Sequence, residues 1–297
     1  MSDSRLTMQD PRTQYPQPPF KPQQQPAPGL AKDMSPRPDN GEKSYTGTGK
    51  LIGRKALVTG ADSGIGRAVA IAFAREGADV AINYLPTEEA DAQEVIKVIE
   101  SCGVKAYAIA GDIQEEAFCQ ELVQQAARHL GGLDILVNNA GTMSSHSDFL
   151  DITTAEFDKT VKTNIYALFW ITKAAVPLMK PGASIINTTS VQGYDPSKGI
   201  VDYAMTKAAI ANFTKGVSKQ LISKGIRVNG VAPGPFWTPI QPVGQPPEQV
   251  ASLGKTVTMG RPGQPVEIAP VYVLLASQEG SYITGEIYGV TGGEGVA

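Results

Sequence analysis

Two side chains that could exchange a proton lie one helical turn apart in the second half of the sequence. Tyr203 and Lys207 are separated by three residues, and on a helix such a pair shares one face. Ser190 lies upstream, at the end of an apolar run that is typical of a strand. A phenol, an ammonium group and a hydroxyl at one pocket rim could protonate and polarise a substrate oxygen. We therefore predict acid–base chemistry on a carbonyl or an alcohol.

The acidity of the tyrosine decides whether this chemistry works near neutral pH. An unperturbed tyrosine has a pKa of ~10, and bringing it near 7 requires about 4 kcal/mol of preference for the phenolate. An ammonium group ~5 Å away contributes about 3 kcal/mol at an effective dielectric constant near 20. We therefore expect Lys207 to lower the pKa of Tyr203, Tyr203 to exchange the proton, and Ser190 to hydrogen-bond the substrate oxygen.

A glycine-rich turn, with the sequence GADSGIG, follows the first predicted strand. Gly60 permits a tight turn, Gly64 lets the backbone approach a pyrophosphate, and Gly66 permits close packing of the next helix. That helix points unpaired N–H groups and the positive end of its dipole toward the phosphates. Between a buried strand and an amphipathic helix, the turn predicts a dinucleotide site.

Strand and helix patterns alternate from about Lys50 onward. The predicted strands are apolar runs at residues 55–60, 79–84, 105–112, 134–137, 184–189, 226–231 and 285–290. The predicted helices cover residues 67–76, 88–101, 115–130, 154–180, 202–223 and 265–277, with a Pro/Gly-rich loop at 233–264. This order predicts an α/β fold in three layers, a doubly wound parallel sheet of about seven strands between two layers of helices. Ligands of such sheets bind beyond the carboxyl ends of the strands.

Three local patterns together resemble the short-chain dehydrogenase/reductase family. They are the Gly-x-x-x-Gly-x-Gly spacing of the turn, the run Asn138-Asn139-Ala140-Gly141 after the fourth strand, and the Tyr-x-x-x-Lys spacing. The resemblance covers about residues 50–295 and is nearest to bacterial general-stress and glucose-dehydrogenase-like members. It implies an NAD(P)-dependent oxidoreductase that acts on CH–OH groups and transfers a hydride between a nicotinamide and a small aldehyde, ketone, alcohol or sugar.

The resemblance also assigns roles to residues. It implies a catalytic tetrad of Asn164, Ser190, Tyr203 and Lys207, in which Asn164 supports a water-mediated proton path. Asp112 would contact the adenine, and Pro233, Gly234 and Thr238 the nicotinamide carboxamide. The full implied cofactor set is Gly60, Ser63, Gly64, Ile65, Gly66, Asn83, Asp112, Asn139, Ala140, Gly141, Tyr203, Lys207, Pro233, Gly234 and Thr238. A structural reading of Asn164, in which it only satisfies backbone groups near its helix, stays open.

The end of the second predicted strand bears on the choice between NAD and NADP. An acid there would select the ribose hydroxyls of NAD, and a nearby Arg or Lys would accept the NADP phosphate. The strand ends in Asn83, and Ser63 in the glycine-rich turn is neutral too. Arg67 follows the last glycine and could face solvent. Since no fixed cation is evident, we favour NAD over NADP.

The charge and composition of the chain limit the kinds of partner that we expect it to bind. The formal net charge of the 297 residues is −3, without long runs of like charge, so we expect neither a nucleic-acid nor a membrane partner. Two cysteines and two histidines provide no disulfide framework and no metal set, and we predict a cytoplasmic protein without a metal.

The first 45 residues differ from the rest. They are dominated by Pro, Gln and Lys, and we expect an extended or disordered tail at residues 1–45 before a single dinucleotide-binding catalytic domain at 46–297. A second interpretation is an arm that lies on a neighbouring subunit, anchored by Tyr15 and Phe20.

The long helices at 154–180 and 202–223 are rich in apolar residues, including Phe169, Trp170, Ile210 and Phe213. Relatives pair such helices in tetramers, so we expect a homotetramer, with burial in the monomer core as the alternative.

Two rival functions remain. One is a non-catalytic dinucleotide sensor or scaffold on the same fold, since fold alone does not establish activity. The other is an enoyl-type double-bond reductase, although that class spaces its Tyr and Lys more widely than four residues.

Overall fold

The sheet of the protein is built from parallel strands. The computed structural model describes residues 7–295. Its strands are β1 (Lys55–Thr59), β2 (Asp79–Tyr84), β3 (Ala106–Ala110), β4 (Ile135–Asn138), β5 (Ser184–Thr188), β6 (Arg227–Pro233) and β7 (Ile287–Val290). They form one seven-stranded sheet in the order β3-β2-β1-β4-β5-β6-β7, with each neighbouring pair parallel. The predicted fold class is confirmed.

Helices cover both faces of this sheet. They are α1 (Gly64–Arg75), α2 (Glu89–Ser101), α3 (Glu116–Leu130), α4 (Thr154–Val161), α5 (Ala167–Ala175), α6 (Val201–Leu221), α7 (Ile240–Gly244), α8 (Pro247–Ala251) and α9 (Pro265–Ala276). Successive strand residues point to opposite faces. Ala56 and Val58 of β1 join a core cluster with α1, α2 and α9, whereas Leu57 joins a second cluster with α3, α5 and α6. The result is three layers.

Two segments differ from the sequence-based prediction. The helix expected over 154–180 is divided by one π-helical stretch, Lys162–Tyr166, and its regular part ends at Ala175. A π stretch inserts an extra residue into the helical repeat, which no hydrophobic pattern reveals. The expected loop at 233–264 contains the short helices α7 and α8.

The strand order reverses at β1, which pairs with β2 on one side and with β4 on the other. The chain leaves the carboxyl ends of these strands in opposite directions, which opens a crevice there. The loops after β1, β2, β4, β5 and β6 all meet at this edge, so the topology alone brings distant parts of the chain together.

The amino-terminal segment is extended but attached to its own chain. We call residues 7–45 the arm; residues 1–6 of the predicted tail lie outside the described residues. The arm holds one 3₁₀ turn, Ala31–Asp33, as its only helix or strand in the described part. Phe20 is buried, and the Tyr15 hydroxyl donates a hydrogen bond to Asp39. Both expected anchors are thus engaged within the chain, and the boundary between tail and catalytic domain stays a prediction.

Candidate active site

A cleft of about 500 Å³ opens at the carboxyl ends of the strands. It is lined by nearly all of the predicted site residues: Gly60, Ser63, Gly64, Ile65, Asn83, Asp112, Asn139, Ala140, Gly141, Ser190, Tyr203, Lys207, Pro233, Gly234 and Thr238. Gly66 and Asn164, by contrast, do not line it. The loops after β1, β2, β3, β4, β5 and β6, together with α6, therefore share one space.

The glycine-rich turn shapes one wall of the cleft. Gly60 and Gly64 have φ angles of +59° and +54°, in the left-handed region that favours glycine. A Cβ at Gly66 would lie 2.1 Å from the Gly60 carbonyl oxygen, so Gly66 serves the close packing of α1 rather than the cleft itself. Ser63, at the N-cap of α1, makes no side-chain capping bond. The first N–H groups of α1 are therefore left for an anion, which suits a pyrophosphate.

A hydrogen-bond network joins this turn to the loop after β4. The Thr59 hydroxyl accepts bonds from the backbone N–H groups of Asn139 (3.0 Å) and Ala140 (3.1 Å). The Asn139 amide donates to the carbonyl oxygens of Thr59 (3.1 Å) and Gly60 (3.0 Å). The side chain of Asn139 thus fixes the width of the crevice at the point where the strand order reverses.

The proton-exchanging group is assembled from β5 and α6. Ser190 follows β5, and its hydroxyl oxygen accepts a bond from the Gln192 N–H at 3.1 Å, which leaves the hydroxyl proton free to donate. Ser190 and Tyr203 are hydrogen-bonded. The Thr189 hydroxyl donates to the Lys207 carbonyl oxygen at 2.9 Å and so ties the end of β5 to α6.

The buried ammonium group lies beside the tyrosine ring. Lys207 Nζ is 5.4 Å from the centre of the Tyr203 ring and donates to the Thr188 carbonyl oxygen at 2.9 Å. Burial lowers the pKa of Lys207 to about 8. Its pairing with a backbone carbonyl, rather than with a carboxylate, leaves it free to serve a further partner in the cleft.

The expectation that Lys207 lowers the pKa of Tyr203 is not met in this structure. Burial raises the pKa of Tyr203 to about 12, and only the hydrogen bond with Ser190 works in the opposite direction. The cause is that burial removes water from the hydroxyl and disfavours the phenolate more than the hydrogen bond with Ser190 favours it. Tyr203 is therefore protonated at neutral pH and suited to donate a proton.

Asn164 lies behind the cleft wall, in the π-helical stretch, with 1% of its surface exposed. Its oxygen accepts a bond from the Thr142 N–H at 2.9 Å, and its amide donates to the Thr142 carbonyl oxygen at 3.1 Å. The same amide donates to the Thr206 hydroxyl at 3.0 Å. These contacts fit the structural interpretation, in which Asn164 holds the loop after β4 against α6.

Sequence reasoning missed two acidic residues in the cleft. Asp62, within the glycine-rich turn, and Glu88, after β2, both line it. Burial raises the pKa of Asp62 to about 6, and burial together with Asp62 raises the pKa of Glu88 to about 8. One oxygen of Asp62 is buried without a hydrogen-bond partner. Asp62 was visible within the turn, but the approach of Glu88 depends on the tertiary fold.

The segment after β6 covers the other end of the cleft. We call residues 235–253, which include α7 and α8, the lid. Its residues Phe236, Pro239, Gln241 and Val243 line the cleft. Trp237 of the same segment is fully buried against the arm. The substrate end thus mixes an aromatic ring with a polar amide.

Two further features bear on function. Residues 7–295 contain no group of three or more His, Cys, Asp or Glu side chains placed to hold a metal ion. Over the same residues, every helix is too short or too polar to span a membrane.

Comparison with known proteins places the chain among oxidoreductases. A family model described as enoyl-(acyl carrier protein) reductase matches residues 60–294. The chain is 55% identical to the oxidoreductase YghA of Escherichia coli over 97% of this chain and 98% of that protein. It is 51% identical to general stress protein 39 of Bacillus subtilis, over 90% and 93% of the two chains. It is 43% identical to glucose and ribitol dehydrogenase of Daucus carota, over 92% and 96%.

Solved structures share the fold. A short-chain dehydrogenase from Burkholderia cenocepacia in complex with NADP has a TM-score of 0.77 and 34% identity, over 82% of this chain and 98% of its own. A metagenomic blue fluorescent protein in complex with NADPH has the same TM-score with 32% identity, over 82% and 98%. The resemblance expected from the sequence is confirmed.

Proposed function

Because the chain belongs to the short-chain dehydrogenase/reductase family, we propose that it transfers a hydride between a nicotinamide dinucleotide and the CH–OH or carbonyl group of a small molecule. The observation that carries the proposal is the meeting of Ser190, Tyr203 and Lys207 with the glycine-rich turn in one cleft. The uncapped start of α1 suits the pyrophosphate, and the cleft reaches from Asp112 to Thr238, as an extended dinucleotide requires.

Each residue of the site has a separate role in the proposed reaction, which its contacts support. A bound nicotinamide would supply the hydride for reduction or accept it in oxidation, and the side chains of the site handle the proton. In reduction, Tyr203 donates its proton to the substrate oxygen, and the Ser190 hydroxyl donates a hydrogen bond to the same oxygen. Lys207, held by Thr188, binds ribose hydroxyls and stabilises the phenolate that remains. Oxidation reverses each step.

The cofactors of the solved neighbours and the charges in this cleft point to different dinucleotides. The solved neighbours with a cofactor hold NADP or NADPH, so the preference for NAD finds no support in the comparisons. The chain, however, has Asp62 and Glu88 in the cleft beside Asn83, where the family binds the adenosine ribose. A 2′-hydroxyl can hydrogen-bond with two carboxyl groups, whereas a 2′-phosphate would be repelled by Asp62. Arg67 is buried in ion pairs with Glu42 and Glu94. On these residues we propose NAD.

Equilibrium titration of the protein with NADH and with NADPH, followed by nicotinamide fluorescence, tests this preference. We expect NADH to bind at least tenfold more tightly. Equal or tighter binding of NADPH would contradict the proposal and would assign the acidic pair a structural role.

The substrate is proposed as a small aldehyde, ketone, alcohol or sugar. Phe236 and Met143 supply apolar contacts, and Gln241 supplies an amide that can bind hydroxyl groups. The relative from Daucus carota is named for glucose and ribitol, which makes polyols the first compounds to offer.

Double-bond reduction is a second candidate, favoured by the description of the matching family model. The four-residue spacing of Tyr203 and Lys207 argues against it, since it places the phenol beside the ammonium group and Ser190. An enoyl thioester offered beside the carbonyl panel separates the two candidates, because only one class of substrate should consume reduced cofactor.

We propose that the protein acts as a cytoplasmic homotetramer. Support for the tetramer comes from large apolar side chains that are exposed on α4, α5, α6 and the π-helical stretch. They are Phe157, Tyr166, Phe169, Val201 and Met205. Ile210 is buried in the core, and Trp170 and Phe213 are partly exposed, so the apolar residues of the long helices divide between core and surface.

The decisive experiment compares the natural protein with Tyr203→Phe. Nicotinamide absorbance is followed while aldehydes, ketones, sugars and polyols are offered with each cofactor. We expect the substitution to lower kcat by orders of magnitude and to leave dinucleotide affinity within about threefold, because the ring is retained and only the hydroxyl is lost. Near-normal turnover would overturn the acid–base role. Tight dinucleotide binding without turnover of any substrate by the natural protein would favour the sensor.

A further inference from the structure

The arm contributes to the wall of the cleft. Ala27 and Pro28 line it, as do Val243 of the lid and Glu88, which follows β2. The contact with the lid is close, since a Cβ at Gly29 would lie 2.6 Å from Val243 Cγ2. A segment far outside the alternating strands and helices therefore borders the space proposed for the dinucleotide.

On one side of the cleft the arm is attached to the lid. The rings of Phe20 and Trp237 lie 4.2 Å apart, and Trp237 Nε1 donates to the Pro36 carbonyl oxygen at 2.7 Å. The Phe20 N–H donates to the Ala251 carbonyl oxygen at 2.8 Å, and the Gln25 N–H donates to the Pro242 carbonyl oxygen at 2.9 Å. The arm thus holds α7, α8 and the segment before them.

On the other side the arm is attached to the helices that follow β1 and β2. The Ala31 N–H donates to Asp91 of α2 at 2.6 Å. Arg37 pairs with Glu94 of α2, and Glu42 pairs with the buried Arg67 of α1 at 2.9 Å. These contacts lie beside Asp62 and Glu88, at the adenosine end of the cleft.

We propose that the arm is a strap across the dinucleotide site, which joins the lid to α2 and must release its Phe20 end before the dinucleotide can leave. This inference rests on the proposed function. It assigns Ala27 and Pro28 as binding residues for the adenosine–pyrophosphate part of the cofactor, and Phe20 and Trp237 as the residues that position them.

The arm lies outside the part of the chain that the family model matches. The family model starts at residue 60, and the solved neighbours cover 82% of this chain, which leaves a share close to the length of the arm and the residues before β1. The relative from Escherichia coli, by contrast, covers 97% of the chain. Relatives of this length share the segment.

The test uses the full-length protein and three variants. Phe20→Ala removes the apolar anchor of the arm, and Trp237→Phe keeps the aromatic contact but removes the donor to Pro36. Gln24→Ala changes an exposed arm residue and serves as the matched control. Release of NADH and NADPH is measured by stopped-flow fluorescence on displacement with excess oxidised cofactor. Single-turnover reduction of a working substrate reports the chemical step.

We expect release to be at least tenfold faster in Phe20→Ala and a fewfold faster in Trp237→Phe, with Gln24→Ala unchanged and single-turnover rates within twofold. Release from Phe20→Ala at the natural rate would overturn the strap. Equal acceleration in Gln24→Ala would overturn it too, since any change in the arm would then have the same effect. Failure of the natural protein to bind either dinucleotide is a different result, which would remove the proposed function itself.

Discussion

Tyr203 illustrates how one residue sets the direction of the chemistry. Burial raises its pKa to about 12 before any ligand binds, so the phenol form predominates at neutral pH. Proton donation to a carbonyl is then available, whereas alcohol oxidation needs the phenolate. A bound oxidised nicotinamide carries a positive charge, which would lower this pKa in the complex used for oxidation.

A pH dependence follows. We expect kcat for oxidation to rise about tenfold per pH unit from pH 6 up to the pKa of the complex, because the phenolate fraction rises in that proportion. Reduction should be level through neutral pH and fall where Tyr203 loses its proton. Initial rates in both directions between pH 6 and 10 provide the check. A flat oxidation profile would argue that another group takes the proton.

The acidic pair in the cleft makes a residue-scale prediction about stability. Both pKa values are raised, for Asp62 to about 6 and for Glu88 to about 8, so the folded protein holds protons that the unfolded chain releases. The stabilisation is complete below the unfolded pKa values near 4 and is lost as pH rises through about 6 to 8. Glu88→Gln, which carries no charge, should therefore weaken the fall in melting temperature between pH 5 and pH 8.5. Thermal unfolding at both pH values measures this, and an identical fall in both proteins would contradict it.

At the scale of elements, the π-helical stretch is the part that local pattern could not predict. Its extra residue turns Asn164 toward Thr142 and Thr206, across to the loop after β4. The Tyr203–Lys207 spacing needed only the regular repeat of α6 and was read directly. The hydrogen bond between Thr59 and Asn139 was predictable only in part. The sequence placed each residue at the end of a strand, but only the order of the strands in the sheet brings the two together.

Asn164→Ala should act mainly through this loop. The substitution removes the partner of the half-buried Thr142 N–H and carbonyl and of the buried Thr206 hydroxyl, and a buried group left unpaired costs about 1–3 kcal/mol. We expect a lower melting temperature and weaker dinucleotide binding, since Gly141 and Thr142 line the cleft. Calorimetry and fluorescence titration measure the two effects. Natural stability and affinity combined with a strongly reduced kcat would instead favour a role in the proton path.

For the whole molecule, the exposed aromatic residues predict assembly. Phe169 is 45% exposed on α5 and lies near Lys173, whose Nζ is 5.7 Å from its ring. Phe169→Glu would place a charge in the proposed helix interface and should shift a tetramer to a smaller species. Light scattering after gel filtration measures this, with Lys97→Glu on α2 as the control. A natural protein that is monomeric, or a variant of unchanged mass, would contradict the interface.

The sequence predicted the sheet, its layers and most of the cleft because these follow from local apolar runs and from loops at strand ends. It did not predict features that depend on contacts between residues far apart in the sequence. The raised pKa of Glu88 depends on its proximity to Asp62, and Trp237 packs against Phe20 of the arm. The position of the arm could not be predicted from its composition, because its proline-rich stretch is held by contacts with distant parts of the chain.

The position of the arm has a consequence for how the protein matures on the ribosome. The arm is synthesised before β1, but Pro11 accepts a hydrogen bond from Arg261 and Phe20 packs on Trp237, two residues that follow β6. The arm therefore docks only after β6 and the lid have been synthesised. A nascent polypeptide stopped before these residues would keep its arm undocked.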